Sequence, residues 1–366
     1  MKEKETPASA EDRLRQIDAL FTAGGLKRGK HRKPSLKAGN PGIGTDATRV
    51  AAKPRPAPNE PVVLRIPEWK QYSWLVHGFS TRIGGISGVY QPGARCGDLN
   101  LGFTAADSRE NVEKNRELFL NAVLKRDAPP VRVKIAAKSH RMQTSLQTLQ
   151  LFRQIHSGLV HRVAQDHPSN DRDSLLRGDG AITTEQGTLL GIQTADCIPV
   201  LIADVRQRIV AAFHAGWRGT LARIVERGVG RMRAEFRSHP DDLTAAIGPG
   251  IGRCCYSVGE EVRAEFESQF SYADALFEEV FDLDPIKEKY PMLFLTARAP
   301  GHSNLGPNLH LDLMEANRRQ LLDAGIGSQA IHALGFCTSC DTKRFFSHRA
   351  EQGFTGRMIS VIGVAG

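Results

Sequence analysis

Residues 187–220 read GTLLGIQTADCIPVLIADVRQRIVAAFHAGWRGT. Within this stretch IPVLIAD (198–204) and RIVAAFHAG (208–216) are apolar, β-branched runs joined by the polar loop VRQR, the pattern of a β-hairpin. If Asp204 pairs with Ile209, then His214 falls opposite Pro199 and Cys197 opposite Gly216. Cys197 and His214 then share one face as diagonal neighbours, roughly 5–8 Å apart. One metal ion can hold both at that separation, since zinc bonds to sulfur and to imidazole nitrogen are about 2.3 and 2.0–2.1 Å. The same pattern also describes a buried Cys and a half-buried His of a sheet core, and spacing alone does not choose between the two.

Outward from the hairpin, VVLRI, WLVHGFS, VRVKIAA, LLGIQ and TAAIG read as further strands. SRENVEKNRELFLNAVL reads as a helix, with Ser108 as cap and Val112, Leu118, Phe119 and Val123 as its apolar positions. TLARIVERGVGRMRAEF (220–236), GEEVRAEFESQF (259–270) and HLDLMEANRRQLLDAG (310–325) read as later helices. Strands fall both in hairpins and between helices. The expected fold is therefore α/β of the α+β type, a single domain over 61–366 with mixed β-sheets flanked by helices.

Residues 1–60 differ in kind. They hold 13 Lys and Arg against 7 Asp and Glu, six Pro, six Gly and one aromatic residue, Phe21. Such a segment cannot bury enough apolar surface to fold alone, so a disordered basic tail is expected. A short helix over 9–23 is possible within it, with Ser9 as cap and Gly24–Gly25 as stop. Most of the chain's net charge of +9 sits in this tail. The body gives little reason to expect a nucleic-acid groove, and only the run KRGKHRK (27–33) offers a weak, non-specific contact. No apolar run is long enough for a membrane span, and the N-terminus lacks the apolar core of a secretory signal. The six cysteines are expected as reduced thiols of a cytoplasmic protein.

A catalytic zinc takes three protein ligands and keeps one open position. The candidates for a third ligand are His140, His156, His161 and His167 upstream of the hairpin and His302, His310, His332 and His348 downstream. Cys337-x-x-Cys340 is expected to be a buried structural pair rather than half of a zinc ribbon. Its only possible complement, Cys254–Cys255, is a pair of adjacent residues.

GFSTRIGGISG (78–88), LNLGF (99–103), QIHSGLVHRV (154–163), GDGAIT (178–183), TADCIPVLIAD (194–204), FHAGWRGT (213–220), IGPGIGRCCYSVGEEV (247–262) and CTSCDTKRFFSHRAEQGFTGRM (337–358) occur in this order. Together they resemble the laccase-domain family, also called the polyphenol oxidase or purine nucleoside phosphorylase family. The resemblance covers about residues 62–364. It implies a metal site of two His and one Cys. The family's Gln-x-His-Gly motif reads Gln154-Ile155-His156-Ser157 here, which nominates His156 beside Cys197 and His214 and departs from the motif at Ser157.

The activity implied is zinc-dependent phosphorolysis of purine nucleosides (inosine, guanosine, adenosine and methylthioadenosine), with adenosine deamination as a side activity of the same pocket. Copper chemistry is not expected despite the family's name. A multicopper site takes many His, often as His-x-His pairs, and the chain has none; copper captured by a His₂Cys site would be adventitious. Arg82, between a strand and a glycine-rich turn, is the candidate phosphate anchor, with a structural ion pair as the alternative. Asn100 is a candidate polar positioner or a turn former. Arg218 is a candidate anion contact or a surface residue, and Asp196 a candidate brace behind Cys197. FFSHR (345–349) and TGR (355–357) are expected to border or brace the pocket, without individual roles. Two further readings are a hydrolase editing peptidoglycan precursors in the cytoplasm and a non-enzymatic scaffold with structural zinc.

Overall fold

The hairpin closes in the register that its side-chain pattern dictates. Asp204 pairs with Ile209, Pro199 with His214 and Ile198 with Ala215, all antiparallel. Every residue of the two strands, Ile198–Asp204 and Ile209–Ala215, is buried. The turn is held from inside: the buried Asp204 carboxylate accepts from the backbone N–H groups of Arg206 (3.0 Å) and Gln207 (2.8 Å). Arg208 completes the turn at φ +56°, a left-handed conformation that such local hydrogen bonds make tolerable.

The computed structural model describes residues 60–91, 97–125, 133–135, 142–144, 148–164, 175–280 and 308–365. The expected tail and its helix over 9–23, the basic run 27–33, and His140, His167 and His302 lie outside them.

The hairpin is the centre of a six-stranded sheet. In order, its strands are Ile331–Ala333, Leu243–Ile247, Ile198–Asp204, Ile209–Ala215, Gly180–Thr183 and Val160–Arg162. A seven-stranded sheet runs Val63–Leu64, Leu75–Ser80, Met358–Val364, Thr188–Thr194, Thr148–Gln150, Met142–Thr144 and Val133–Ile135. Both are mixed: Thr188–Thr194 pairs antiparallel with Met358–Val364 and parallel with Thr148–Gln150, and Leu243–Ile247 is antiparallel to the hairpin but parallel to Ile331–Ala333. The central strands of the two sheets pack against each other. The helix Arg109–Leu124 covers the outer side of the larger sheet through Phe119, Leu120 and Val123. Ile224–Phe236, Glu260–Gln269 and Leu313–Asp323 cover the smaller one, over a core containing Val200, Ile202, Phe213, Val229 and Phe266. The architecture is thus mixed sheets flanked by helices, as expected, with each apolar face buried against another layer.

Three local expectations change. The segment 220–236 is not one helix: Trp217–Leu221 ends and Ile224–Phe236 begins at Arg223, whose φ is +55°. Its guanidinium lies 4.5 Å from the Phe270 ring centre and pairs with Glu226 at 2.7 Å. The segment 310–325 opens as a strand, Asn308–Leu311, and becomes helical only after Asp312, whose carboxylate caps Glu315 N–H at 2.9 Å. The C-terminal run MISVIGV (358–364), read from sequence as no element, is a wholly buried strand in the larger sheet. Buried on both faces, it shows no polar–apolar alternation.

Candidate metal centre and its cavity

Side chains alternate along Ile209–Ala215, which aims neighbours at different layers. Phe213 packs on the helix at Gly228, where a Cβ would come within 2.2 Å of its ring. His214 points the other way, toward the end of the space between the sheets. His156, Cys197 and His214 meet there. One ligand atom from each lies within 4.8 Å of the others. Cys197 Sγ is 4.0 Å from His156 Nε2, and the two imidazole rings cross at 73° with centres 4.9 Å apart. Gly216 makes this approach possible: a Cβ there would sit 2.9 Å from Cys197 Sγ and 3.2 Å from His156 Cδ2.

Asp179, of GDGAIT, organises the trio. Its buried carboxylate accepts from the backbone N–H groups of Ile155 (3.1 Å), His156 (2.9 Å) and Ser157 (2.6 Å), and from the Ser157 hydroxyl (2.8 Å). These bonds hold His156 at φ +58°, a conformation that costs a non-glycine residue about 1 kcal/mol or more. Ser157, where the family motif has Gly, thus contributes an extra donor to the same carboxylate. Asp179 also lies 2.9 Å from His214 Nδ1. That bond places the proton on Nδ1 and leaves Nε2 as the ligand atom, the carboxylate–histidine arrangement that supports metal sites. Gln154 and Gln193 fasten the loop to the larger sheet by reciprocal bonds of 2.8 Å.

The charges reinforce one another. Burial alone would raise the Cys197 thiol, but the positive His214 and hydrogen bonds from both imidazoles bring it down to about 6. Burial alone would lower His214, but the Cys197 thiolate and Asp179 raise it to about 9. Asp179 falls to about 2, because hydrogen bonds from His214 and Ser157 outweigh its burial. The site therefore presents a thiolate near neutral pH, the form that ligates metal. A tetrahedral zinc at ordinary bond lengths needs ligand atoms roughly 3.3–3.8 Å apart. The observed set would fit such an ion after a small closing of the side chains, and all three residues line one cavity.

That cavity has a volume of about 700 Å³. Beside the trio it is lined by the aromatic residues Phe103, Phe152 and Tyr256, the basic residues His348, Arg349 and Arg357, and Gln154 and Gln193. Burial, with the nearby Cys197 thiolate adding to it, pushes the Tyr256 phenol up to about 12, so it stays protonated.

The remaining sequence candidates are placed differently from one another. Arg82 is not at the cavity. It is 2% exposed, forks onto Asp98 (2.9 and 2.8 Å), and donates to Glu351 (2.8 Å) and the Thr342 carbonyl (2.7 Å). With its planar donors so engaged it is a buried ion pair, not an exposed phosphate anchor. Arg218 is also outside the lining; it is exposed and stacks on Trp217 at 4.3 Å. Asn100 and Asp196 share a pattern. Asn100 Oδ1 accepts the backbone N–H of Arg357 at 2.9 Å, and Asp196 Oδ2 accepts that of Arg349 at 2.7 Å. Each anchors the main chain of a cavity arginine. Asp196 lines the cavity wall with φ +90°, and its other carboxylate oxygen accepts from the Thr338 hydroxyl at 2.7 Å. Sequence reasoning gave no role to Asp179, although its motif was in view, nor to Arg349 and Arg357, which stand in FFSHR and TGR.

Comparison with known proteins gives the chain its relatives. Purine nucleoside phosphorylase YlmD of Bacillus subtilis (strain 168) is 30% identical over 312 residues, spanning 83% of this chain and 95% of the relative. Adenosine deaminase RL5, from an unknown prokaryotic organism, is 33% identical over 226 residues, 61% of this chain and 77% of that protein. The crystal structure of the Bacillus licheniformis hypothetical protein YfiH superposes with a TM-score of 0.63 at 30% identity, covering 84% of this chain and 97% of that one. Residues 120–365 match the family model described as multi-copper polyphenol oxidoreductase laccase. The chain belongs to that family.

Proposed function

We propose that this chain is a metal-dependent purine nucleoside phosphorylase, with adenosine deamination as a second activity of the same cavity. The observation that carries the proposal is the placement of a three-ligand centre, His156, Cys197 and His214, in a cavity that also offers two arginines and three aromatic side chains. A phosphate and a purine call for complementary walls of this kind: guanidinium groups for the anion and flat apolar rings for the base. A bound zinc would supply a Lewis acid close to the reacting atoms.

The chain's own residues divide the remaining work. Arg349 and Arg357, their backbones fixed by Asp196 and Asn100, hold phosphate against the ribose. Phe103, Phe152 and Tyr256 hold the base and exclude water from part of the cavity. Asp179 keeps His214 in the tautomer that directs Nε2 at the ion. The relatives named as a phosphorylase and as a deaminase support both halves of the proposal. Zinc is the resident metal in this reading. Copper binds N and S donors more tightly, so copper loading during purification would be adventitious.

The test is incubation of zinc-replete protein with inosine and phosphate. Hypoxanthine and ribose 1-phosphate should appear, Cys197→Ser should abolish them, and adenosine without phosphate should give inosine. Failure of metal-replete protein to act on any purine nucleoside overturns the proposal.

A further inference from the structure

We infer that Cys254, Cys255, Cys337 and Cys340 form a second metal site, a structural tetrathiolate centre for one zinc ion that pins the wall of the cavity. From sequence the two pairs look unrelated, one adjacent and one spaced by two residues, and Cys337–Cys340 is expected to be buried. The structure differs on both points. Cys340 and Cys254 are exposed, Cys337 and Cys255 are half-buried, and all four sulfurs lie within 4.8 Å of one another. Cys340 Sγ is 3.4 Å from Cys254 Sγ and 3.3 Å from Cys255 Sγ. Adjacent cysteines would point apart in a strand. Here a turn, closed by Cys255 N–H and Tyr256 N–H onto the Gly252 carbonyl at 3.0 and 3.1 Å, brings both sulfurs to one side.

The distances specify a single ion. Four thiolates on a tetrahedral zinc with bonds of about 2.3 Å have sulfurs roughly 3.8 Å apart, inside the observed range. An iron–sulfur cluster spreads its cysteines around several irons and needs a wider set. Soft thiolate donors in a tetrahedral S₄ array select zinc or iron over harder ions. The surrounding backbone is also prepared: Gly252 N–H donates to Cys337 Sγ at 3.2 Å, the kind of outer contact that orients a metal-bound sulfur. The two loops are joined by the main chain as well, Thr338 N–H donating to the Gly250 carbonyl at 2.9 Å.

The position explains what the ion would do. Cys255 directly precedes Tyr256, which lines the cavity. Between Cys337 and Cys340, the Thr338 hydroxyl holds Asp196 at 2.7 Å, one residue before Cys197. Both loops are short of regular structure, and one ion holding four side chains fixes them together.

The test is metal content per chain in holoprotein purified under reducing conditions without added metal, and it does not depend on nucleoside turnover. Wild-type protein should carry two zinc ions, Cys197→Ser one, and the double variant Cys254→Ser/Cys340→Ser one. Should the double variant not fold, cobalt(II) added anaerobically to chelated Cys197→Ser protein gives the second reading. Thiolate charge-transfer bands and tetrahedral d–d bands are expected. The inference fails if the double variant keeps the wild-type metal content, if the cobalt spectrum lacks thiolate bands, or if freshly purified protein already holds these cysteines as disulfides.

Discussion

Asp179 Oδ1 lies 2.9 Å from His214 Nδ1, and the same carboxylate accepts the backbone N–H groups of the loop that carries His156. One side chain thus sets both the tautomer of one candidate ligand and the main-chain conformation of the other. Asp179→Asn should therefore weaken zinc binding by about 10–100-fold, the usual effect of removing a group that orients a metal-bound His. Competition with a chromogenic chelator measures it. Wild-type affinity in the variant would show that the carboxylate is not needed to orient the ligands.

Cys197 should behave as an acidic thiol when the metal has been removed. Its thiol lies at about 6, because the positive His214 and two imidazole hydrogen bonds outweigh burial. A lowered value means that the reactive thiolate is already present on the alkaline side of about 6, so alkylation should rise with pH and reach half its plateau there. An ordinary cysteine is only a few per cent thiolate at pH 7. Peptide mapping after iodoacetamide treatment of chelated protein isolates Cys197 from the other thiols. A midpoint near that of a free cysteine would contradict the arrangement, and added zinc should protect the residue.

Arg82 and Arg349 should separate stability from anion binding. Arg82→Ala leaves the buried Asp98 and the half-buried Glu351 without their partner, which costs roughly 3–5 kcal/mol and should appear as a large fall in Tm. Arg349 is exposed at the cavity. Arg349→Ala should leave Tm nearly unchanged and raise KM for phosphate by roughly tenfold or more, as expected for a lost charge-assisted hydrogen bond. An Arg82→Ala protein with normal Tm and an altered phosphate KM would reverse the two assignments.

Gly216→Ala tests the closeness of the ligands. The added methyl would sit 2.9 Å from Cys197 Sγ and 3.2 Å from His156 Cδ2, at an extended φ of −70° that alanine adopts freely. The fold should survive while zinc occupancy falls, measured as metal per chain beside circular dichroism. Full occupancy would mean that the ligands can shift by a few tenths of an ångström without loss.

Legibility followed the range of the interactions involved. Cys197 and His214 were legible as a pair because a hairpin is local: side chains alternate with a period of two, and the short turn sets the register that places Pro199 opposite His214. His156 was legible only through the resemblance, because nothing near it in the chain says where its loop docks; the Gln154–Gln193 bonds that dock it join distant segments. Arg82 misled for the same reason. A strand, an arginine and a glycine turn describe an anion loop equally well until Asp98 and Glu351 are seen packed around the guanidinium.

By itself, then, the sequence determined the hairpin, the face shared by Cys197 and His214, the helix Arg109–Leu124 with its Ser108 cap, and the mixed α+β class. These rest on periodicities of two and 3.6 and on capping groups within a few residues. Only the tertiary structure decided that Asp179 governs the trio, that Arg349 and Arg357 rather than Arg82 face the cavity, that MISVIGV is a central strand, and that Cys254–Cys255 meets Cys337–Cys340. Each of these depends on segments tens to hundreds of residues apart being brought together by sheet pairing and layer packing, and no local pattern encodes which buried surface will find which.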